Sequence, residues 1–476
     1  MTLPWQDIVQ QRPDQIALIT EDRQWTWHEL SECTSVVAQS FKQQGVKPNQ
    51  VVSLLGKNSL EALIVYLANL QIGAITAWIM PEPWSRISLK LEQLYTCTQR
   101  SHFFISDLEW ASLDNTLLEQ FTQRHDRLVC PALGVANRST KKVFEAPSEF
   151  SVEQLASIVF TSGSMGRPKA VAHRYQQHLT SALGLLQKFE FKNSDTWLLS
   201  LPLYHVSGLA IVHRWLAAGA TLKLGSGILA ADIKSVTHVS LVPTQLKRLL
   251  DTQSPLLLKR VLLGGAHIPS ELAQQAQQRG IDTWLGYGMT EMASTVTAKQ
   301  VDGQRGVGYL LPHRQLKLED GRIKVSGKTL AAGYYQQGQL QNLLDDGWFD
   351  TKDLAHYENS ELVIDGRADN CFISGGENVH CEEIEQVANQ HPSVIQSIVI
   401  AVEDREFGAR PLLLVETITP LDCDSIQALL MKNIAKFKIP KQIEILPKSL
   451  LKGGIKLSRY HVKQWVRTTF TDLNVM

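Results

Sequence analysis

The stretch Ile158-Val159-Phe160-Thr161-Ser162-Gly163-Ser164-Met165-Gly166-Arg167-Pro168-Lys169-Ala170 runs from β-branched apolar residues into hydroxyls and glycines, then reaches a lysine. Gly163 and Gly166 reach backbone angles that other residues resist. Thr161, Ser162 and Ser164 offer hydroxyls, the loop offers N–H groups, and Lys169 adds a mobile positive charge. That set suits phosphate oxygens. It is not a Walker A loop, which needs Gly before Lys and a hydroxyl after it; here Pro168 and Ala170 flank Lys169. Taken alone, the same residues also make a polar turn between two strands.

Other stretches carry chemistry of their own. Gly264-Gly265-Ala266 follows an apolar run, and paired glycines let a backbone approach a flat ring, or simply turn. Gly286-Tyr287-Gly288-Met289-Thr290-Glu291 is no dinucleotide fingerprint, because that would need Gly at 291. Glu291 is a hard oxygen ligand of the kind that holds Mg²⁺ on phosphates. The Asp353 carboxylate is a natural acceptor for two hydroxyl donors. Lys456, in Gly453-Gly454-Ile455-Lys456, is a long cationic arm that can meet a carboxylate and a phosphate together. Arg214 sits on an otherwise apolar helix and can take a carboxylate with two hydrogen bonds, with Ser294 and Thr295 as added hydroxyls. Its bland reading is a helix-surface ion pair. His205, Arg367, Asp369 and Lys456, each taken singly, read as ordinary packed or surface residues.

In this order the stretches resemble the motifs of the adenylate-forming superfamily: acyl- and aryl-CoA ligases, luciferases and peptide-synthetase adenylation domains. The resemblance runs from about Ile16 to Lys456. It departs at Met165 (usually Thr), Ala170 (usually Gly), Lys352 within Thr351-Lys352-Asp353 (usually T-G-D), Ile373 (often Lys) and Cys381 (usually Pro). It implies an acid–thiol ligase that uses ATP and Mg²⁺, with CoA as co-substrate. ATP is then bound by Thr161, Ser162, Gly163, Ser164, Gly166, Lys169, Gly264, Gly265, Gly288, Asp353 and Arg367. Thr290, Glu291, His205 and Lys456 are the implied catalytic set, with Glu291 on the metal. His205 lines the acyl pocket and gates the thiol, Gly375 and Gly376 leave room for the CoA arm, and Asp369 is the hinge. Arg214, Ser294 and Thr295 are the substrate-binding candidates for an acid with a second carboxylate. Rival readings are a benzoate- or fatty-acid–CoA ligase, a non-catalytic acyl-nucleotide binding protein and a P-loop NTPase. Arg214 argues against the first, Lys456 and Glu291 against the second, and Pro168-Lys169-Ala170 against the third.

These residues need elements to place them. Strand–helix–strand succession (Val51 to Leu55, Ser59 to Gln71, Ala74 to Ile79) predicts a parallel sheet with helical crossovers. Thr26 and Glu29 predict a capping box, and a helix ending near Gly45. Strands are expected at 102–105, 127–130, 197–202, 238–242, 260–263 and 283–285, and helices at 175–189 and 211–218. His205 is expected at a strand end. After Gly306 short β segments follow. The fold class is α/β: a large N-terminal domain (1–368) of layered α/β subdomains with a β-rich part, then a small mobile α+β C-terminal domain (369–476). The length of 476 residues fits at least two domains. Lys+Arg and Asp+Glu are 47 each, which argues against a nucleic-acid coat or a polybasic anchor. Six cysteines without a C-x-x-C pair fit a reducing compartment. With no signal peptide and no uninterrupted apolar span, the expectation is a cytoplasmic enzyme with small-molecule partners, compatible with a homodimer.

Overall fold

The strand Val51–Leu55 is buried on both faces, and its residues divide by parity. Val52 and Leu54 enter one core; Val51 and Leu55 enter another. Period-two alternation makes this division, and helices must cover both faces. The computed structural model describes the whole chain except residues 1, 83, 97–100, 107–118, 120, 121, 124, 134–149, 163–167, 253, 254, 265–269, 305, 375, 376, 405, 452–456, 471 and 472.

Val51–Leu55 belongs to an eight-stranded sheet with the order Gln339–Gln341, Gly333–Gln336, Pro168–Arg174, Leu155–Ser162, Ile75–Ile79, Val51–Leu55, Ser101–Phe104, His125–Arg127. A nine-stranded sheet has the order Tyr309–Leu310, Ser294–Gln300, Asp282–Met289, Arg260–Leu263, His238–Leu241, Thr196–Leu198, Thr221–Lys223, Ile16–Ile19, Gln24–Thr26. Both are parallel at the centre and antiparallel at one edge or both. The largest core joins them. It holds Val52, Trp78 and Val159 from one sheet, Leu18, Trp197 and Leu222 from the other, and the helices Trp27–Gln43, Leu60–Ile72, Tyr175–Leu186 and Val206–Ala218 between. The outer face of the eight-stranded sheet packs on helix Trp84–Leu94. The outer face of the nine-stranded sheet packs on Pro243–Asp251 and Ser270–Gln278. The result is helix, sheet, helix, sheet, helix, the layered α/β class expected.

Local signals explain the ends. Thr26 and Glu29 form the capping box, Ser59 accepts from Ala62 N, and Gly73 closes its helix at φ 83°. That left-handed position favours glycine. A four-stranded antiparallel sheet, Arg314–Glu319, Arg322–Gly327, Phe349–Glu358 and Glu361–Arg367, is the β-rich part. Beyond it, strands Val394–Asp404, Gly408–Thr417 and Gln442–Ile445 divide their faces by parity again. Val399 and Leu413 pack on helices Cys381–Ala388 and Cys423–Asn433, while Ile398, Ile400 and Leu412 pack on Arg459–Thr469.

Three expectations shift. The strand expected at 127–130 lies at His125–Arg127, because the Gln44 side chain takes both the N–H and the C=O of Val129. The strand expected at 197–202 stops at Leu198. There Asn58 takes over the backbone, donating to Leu199 O and Leu201 O and accepting from Leu203 N. The helix expected from Ile211 starts at Val206, so His205 is its N-cap rather than a strand end. Gly208 makes this early start feasible, since a Cβ there would stand 2.1 Å from Pro202 O. Among the described residues no helix is long and apolar enough to cross a membrane, and Cys33, Cys371, Cys381 and Cys423 are free thiols.

The nine- and four-stranded sheets are tied by a buried ion pair, Lys299 Nζ to Glu361 Oε2 at 2.5 Å, with Asp302 at 2.9 Å. Lys299→Met leaves the Glu361 carboxylate buried without its cation, a loss of about 3 kcal/mol in unfolding free energy. Urea denaturation measures it. A change below about 0.5 kcal/mol contradicts a structural role for the pair.

Candidate active site

The motif segments leave the carboxyl ends of central strands, where open α/β sheets bind ligands. Leu155–Ser162 runs into the hydroxyl-rich loop, and Pro168–Arg174 returns beside it, pairing Thr161 with Lys169. Thr161 is half-buried and Lys169 exposed. The ammonium of Lys169 lies 4.9 Å from the ring centre of Tyr334, on the next strand of the same sheet. Gly163, Ser164 and Gly166 lie outside the described residues, as do Gly265, Gly375, Gly376 and Lys456, and the side chain of Ser162 is likewise not described. Gly264 directly follows strand Arg260–Leu263, and a Cβ there would meet only Gly286 O at 3.9 Å.

Asp282–Met289 carries Gly286, Tyr287 and Gly288 within the strand, and Thr290–Met292 forms a single 3₁₀ turn. Ala293 (φ 51°) and Ser294 (φ 99°) then reverse the chain into Ser294–Gln300. This reversal needs Gly288, whose Cβ would stand 2.0 Å from Ser294 O. His173 Nε2 donates to Thr290 O at 2.7 Å, and Ala331 N donates to Glu291 O at 2.7 Å, which fixes the turn from both sides. The Glu291 carboxylate accepts from Tyr334 Oη at 3.2 Å. Burial raises its pKa, against the Tyr334 hydrogen bond and the charges of Lys169 and Arg367.

Ser294 and Thr295 pair across the hairpin with Met289 and Gly288. Thr295 Oγ1 accepts from Arg214 Nη2 at 3.1 Å. Arg214 is 2% exposed, and Trp197 lies 5.4 Å beneath its guanidinium. Its Nε has no hydrogen-bond partner, and no carboxylate comes within ion-pair distance among the described residues. The surface ion pair is therefore excluded. Burial, then the charge of Arg314, lowers the Arg214 pKa to about 9, so it stays charged at pH 7.

A second cluster forms where the four-stranded sheet meets the nine-stranded one. Register places Asp353 opposite Arg367. Asp353 accepts from Tyr287 Oη at 2.6 Å and Arg367 Nη1 at 3.0 Å, and Arg367 Nε donates to Asp369 at 2.9 Å. Lys352, at the position the family usually gives to glycine, takes a left-handed φ of 61°, and its N–H is held by Asp350 Oδ1 at 2.8 Å. The substitution thus keeps the backbone shape at a cost of about 1 kcal/mol.

His205 is half-buried beside Tyr204, ring centres 4.9 Å apart. Burial and the charge of Lys90 lower its pKa. The structure thus joins Arg214 to Thr295, Tyr287 to Asp353 and Arg367, and Tyr334 to both Glu291 and Lys169; it shows no direct bond from His205 to any of them. Sequence reading missed Asn58, His173, Tyr334 and the role of Tyr287. Of these only Tyr287 stood inside a quoted motif.

His173 starts a buried column of imidazoles. Its ring centre lies 4.8 Å from that of His178, which stacks on His213 at 4.3 Å. His178 bonds Ser157 and His213 bonds Tyr66, each at 2.7 Å. Burial pushes His173 down to about 4 and His213 to about 3, and His178 well below its ordinary value.

A family model described as AMP-binding enzyme matches residues 5–335, and one described as AMP-binding enzyme C-terminal domain matches residues 383–456. The chain is 40% identical over 468 residues to a 2-succinylbenzoate–CoA ligase of Escherichia coli strain K12, covering 98% of each. It is 41% identical over 476 residues to that of Haemophilus influenzae, covering 97% of this chain and 98% of the relative. A solved E. coli MenE variant with bound OSB-AMS matches at TM-score 0.85 and 37% identity, over 98% of both chains.

The imidazole column sets a pH dependence. The unfolded chain binds protons below about 6.5, while the folded rings refuse them until about 4 or lower. Their stabilising contribution is full above pH 6.5 and falls as pH drops, by up to about 1.4 kcal/mol per unit for each ring. His213→Gln removes one such ring. Urea denaturation from pH 7 to 5 should give a shallower decline in the variant; equal slopes contradict the assignment.

Proposed function

The chain belongs to the AMP-binding enzyme family, whose members form acyl-adenylates, and we propose that it ligates 2-succinylbenzoate to coenzyme A in the cytoplasm, in menaquinone (vitamin K2) biosynthesis. ATP, 2-succinylbenzoate and CoA become AMP, diphosphate and 2-succinylbenzoyl-CoA. The observation that carries the substrate is the Arg214 guanidinium, buried with a free Nε and no carboxylate among the described residues. An acid with two carboxylates presents one for activation and one for this guanidinium, with Thr295 and Ser294 beside it. The 2-succinylbenzoate–CoA ligases of E. coli and H. influenzae support the same substrate, at 40% and 41% identity over nearly the full chain.

In the first half-reaction a substrate carboxylate oxygen attacks the α-phosphorus of ATP, and diphosphate leaves with the electrons of the P–O bond. Thr161 to Lys169 hold the outer phosphates, Thr290 donates to the α-phosphate, and Gly264, Gly265 and Gly288 leave room for the nucleotide. The Asp353 carboxylate accepts from the ribose hydroxyls. Arg367 and Tyr287 already fix that carboxylate, so little reorganisation remains. Glu291 fits Mg²⁺: its carboxylate is a hard donor whose buried charge is only partly offset by Tyr334 and Lys169. When bound, the metal supplies further positive charge toward the phosphates. Lys456 meets the developing charge on the transferring group.

In the second half-reaction the CoA sulfur attacks the acyl carbon, and AMP leaves with the electrons of the C–O bond. Residues 369–476 turn about Asp369 between the steps, withdrawing Lys456 and bringing Gly375 and Gly376 to the thiol arm, past His205. The Asp369 carboxylate is held by Arg367, next to the nucleotide cluster, which suits a pivot that senses the bound nucleotide.

Lys456→Ala should lower adenylation by at least about 100-fold and leave thioester formation from preformed acyl-adenylate within about threefold. Equal loss in both half-reactions rules out the division of labour. Arg214→Ala should raise KM for 2-succinylbenzoate by about 100-fold, the scale of a charged hydrogen-bonded pair, with KM for ATP little changed. An unchanged KM for the acid sinks the second-carboxylate site.

A further inference from the structure

Arg214 is not the only buried guanidinium near Thr295. Arg314, at the start of the strand Arg314–Glu319, is 5% exposed. Its Nε donates to Thr295 O at 3.0 Å and its Nη1 to Pro312 O at 2.7 Å. Its Nη2 donates to the backbone and hydroxyl oxygens of Ser181, at 3.1 and 3.0 Å. The Ser181 hydroxyl in turn donates to Ala293 O at 2.7 Å. Every acceptor is neutral, and no carboxylate pairs with Arg314 among the described residues.

The fold makes room for this side chain. Gly184 lies inside helix Tyr175–Leu186, where glycine costs about 1 kcal/mol. A Cβ there would stand 2.1 Å from Arg314 Nη1 and 3.0 Å from Pro312 O. Thr295 therefore sits between two guanidiniums: its carbonyl is held by Arg314 and its hydroxyl takes Arg214. Two unpaired buried cations at one hairpin are costly without a counter-charge, and truncating either changes the field on the other.

Resting on the reading that Arg214 receives the far carboxylate, we propose that Arg314 is a specificity-determining positioning residue for that carboxylate. It fixes the Ala293–Thr295 turn through Thr295 O and Ser181, so that the Thr295 hydroxyl aims Arg214. It also supplies a second positive charge to the anion-recognising end of the site. The ligand class is an organic acid with a second carboxylate, which brings the counter-charge that no described residue supplies. Arg314 does not touch the reacting atoms, so it governs selection of the acid and leaves the nucleotide steps alone.

The test compares wild type, Arg314→Gln, Arg314→Lys and Arg214→Ala in pyrophosphate release. The acids are 2-succinylbenzoate and benzoate, with KM for ATP measured alongside. For Arg314→Gln, kcat/KM for 2-succinylbenzoate should fall about tenfold relative to benzoate, with KM for ATP within about twofold. Arg314→Lys, which keeps the charge, should recover part of that ratio. Unchanged discrimination in Arg314→Gln, together with lost discrimination in Arg214→Ala, overturns this inference alone. Unchanged discrimination in Arg214→Ala overturns the far-carboxylate reading beneath it. If Arg314→Gln does not fold, Gly184→Ala, which displaces the guanidinium without removing it, carries the same comparison: a lowered ratio supports the proposal and an unchanged one overturns it.

Discussion

A guanidinium buried beside Trp197, with one hydrogen bond to Thr295 and no carboxylate among the described residues, is the constraint around which the acid end of the proposed site is arranged. Burying an unpaired cation is expensive, and a fold tolerates it only where geometry holds the group in place and a ligand completes it. The helix Val206–Ala218 lies between the two large sheets, buried from Gly208 to Leu216, with Trp215 stacked on Trp27 at 5.0 Å. Arg214 therefore cannot swing into solvent without unpacking the central core.

The proposed nucleotide end follows a different logic. Its groups come from chain segments far apart in sequence, and Asp353, Glu291 and the Thr290–Met292 turn are held before any ligand arrives. Tyr287 and Arg367 fix Asp353, Tyr334 reaches Glu291, and His173 and Ala331 hold the Thr290–Met292 turn. Fixed dipoles and charges of this sort lower a phosphoryl-type barrier because they need not reorganise during the reaction. The hairpin at Gly288 and Thr295 connects the two ends. One of its strands leads into Thr290 and Glu291, and the other carries the hydroxyl that aims Arg214.

Much of this was legible in the sequence where a local rule dominates. The capping box at Thr26, the glycine cap at Gly73 and the parallel unit from Val51 to Ile79 follow from spacing and residue type, and the ordered motifs from the family resemblance. Legibility failed where a distant side chain took over a backbone. Asn58 ends the strand at Leu198, and Gln44 occupies Val129. Lys352 read as a departure from a glycine, yet the backbone keeps the left-handed angle a glycine would take. His205 was misplaced by one element because the helix start depends on Gly208 meeting Pro202, a contact that composition does not reveal. Arg214 was singled out, but its burial and lack of a partner are three-dimensional facts. Arg314 and His173 lay in no motif, and each reaches a backbone carbonyl more than a hundred residues away, Ser181 O and Thr290 O respectively.

The most direct test of the central claim is pyrophosphate release by the wild-type enzyme with ATP, Mg²⁺ and CoA, comparing 2-succinylbenzoate with benzoate and a medium-chain fatty acid. A guanidinium awaiting a second carboxylate predicts strong preference for 2-succinylbenzoate. Turnover of the monocarboxylic acids at an equal or higher rate would contradict the account, leaving the adenylation chemistry without the substrate assigned to it.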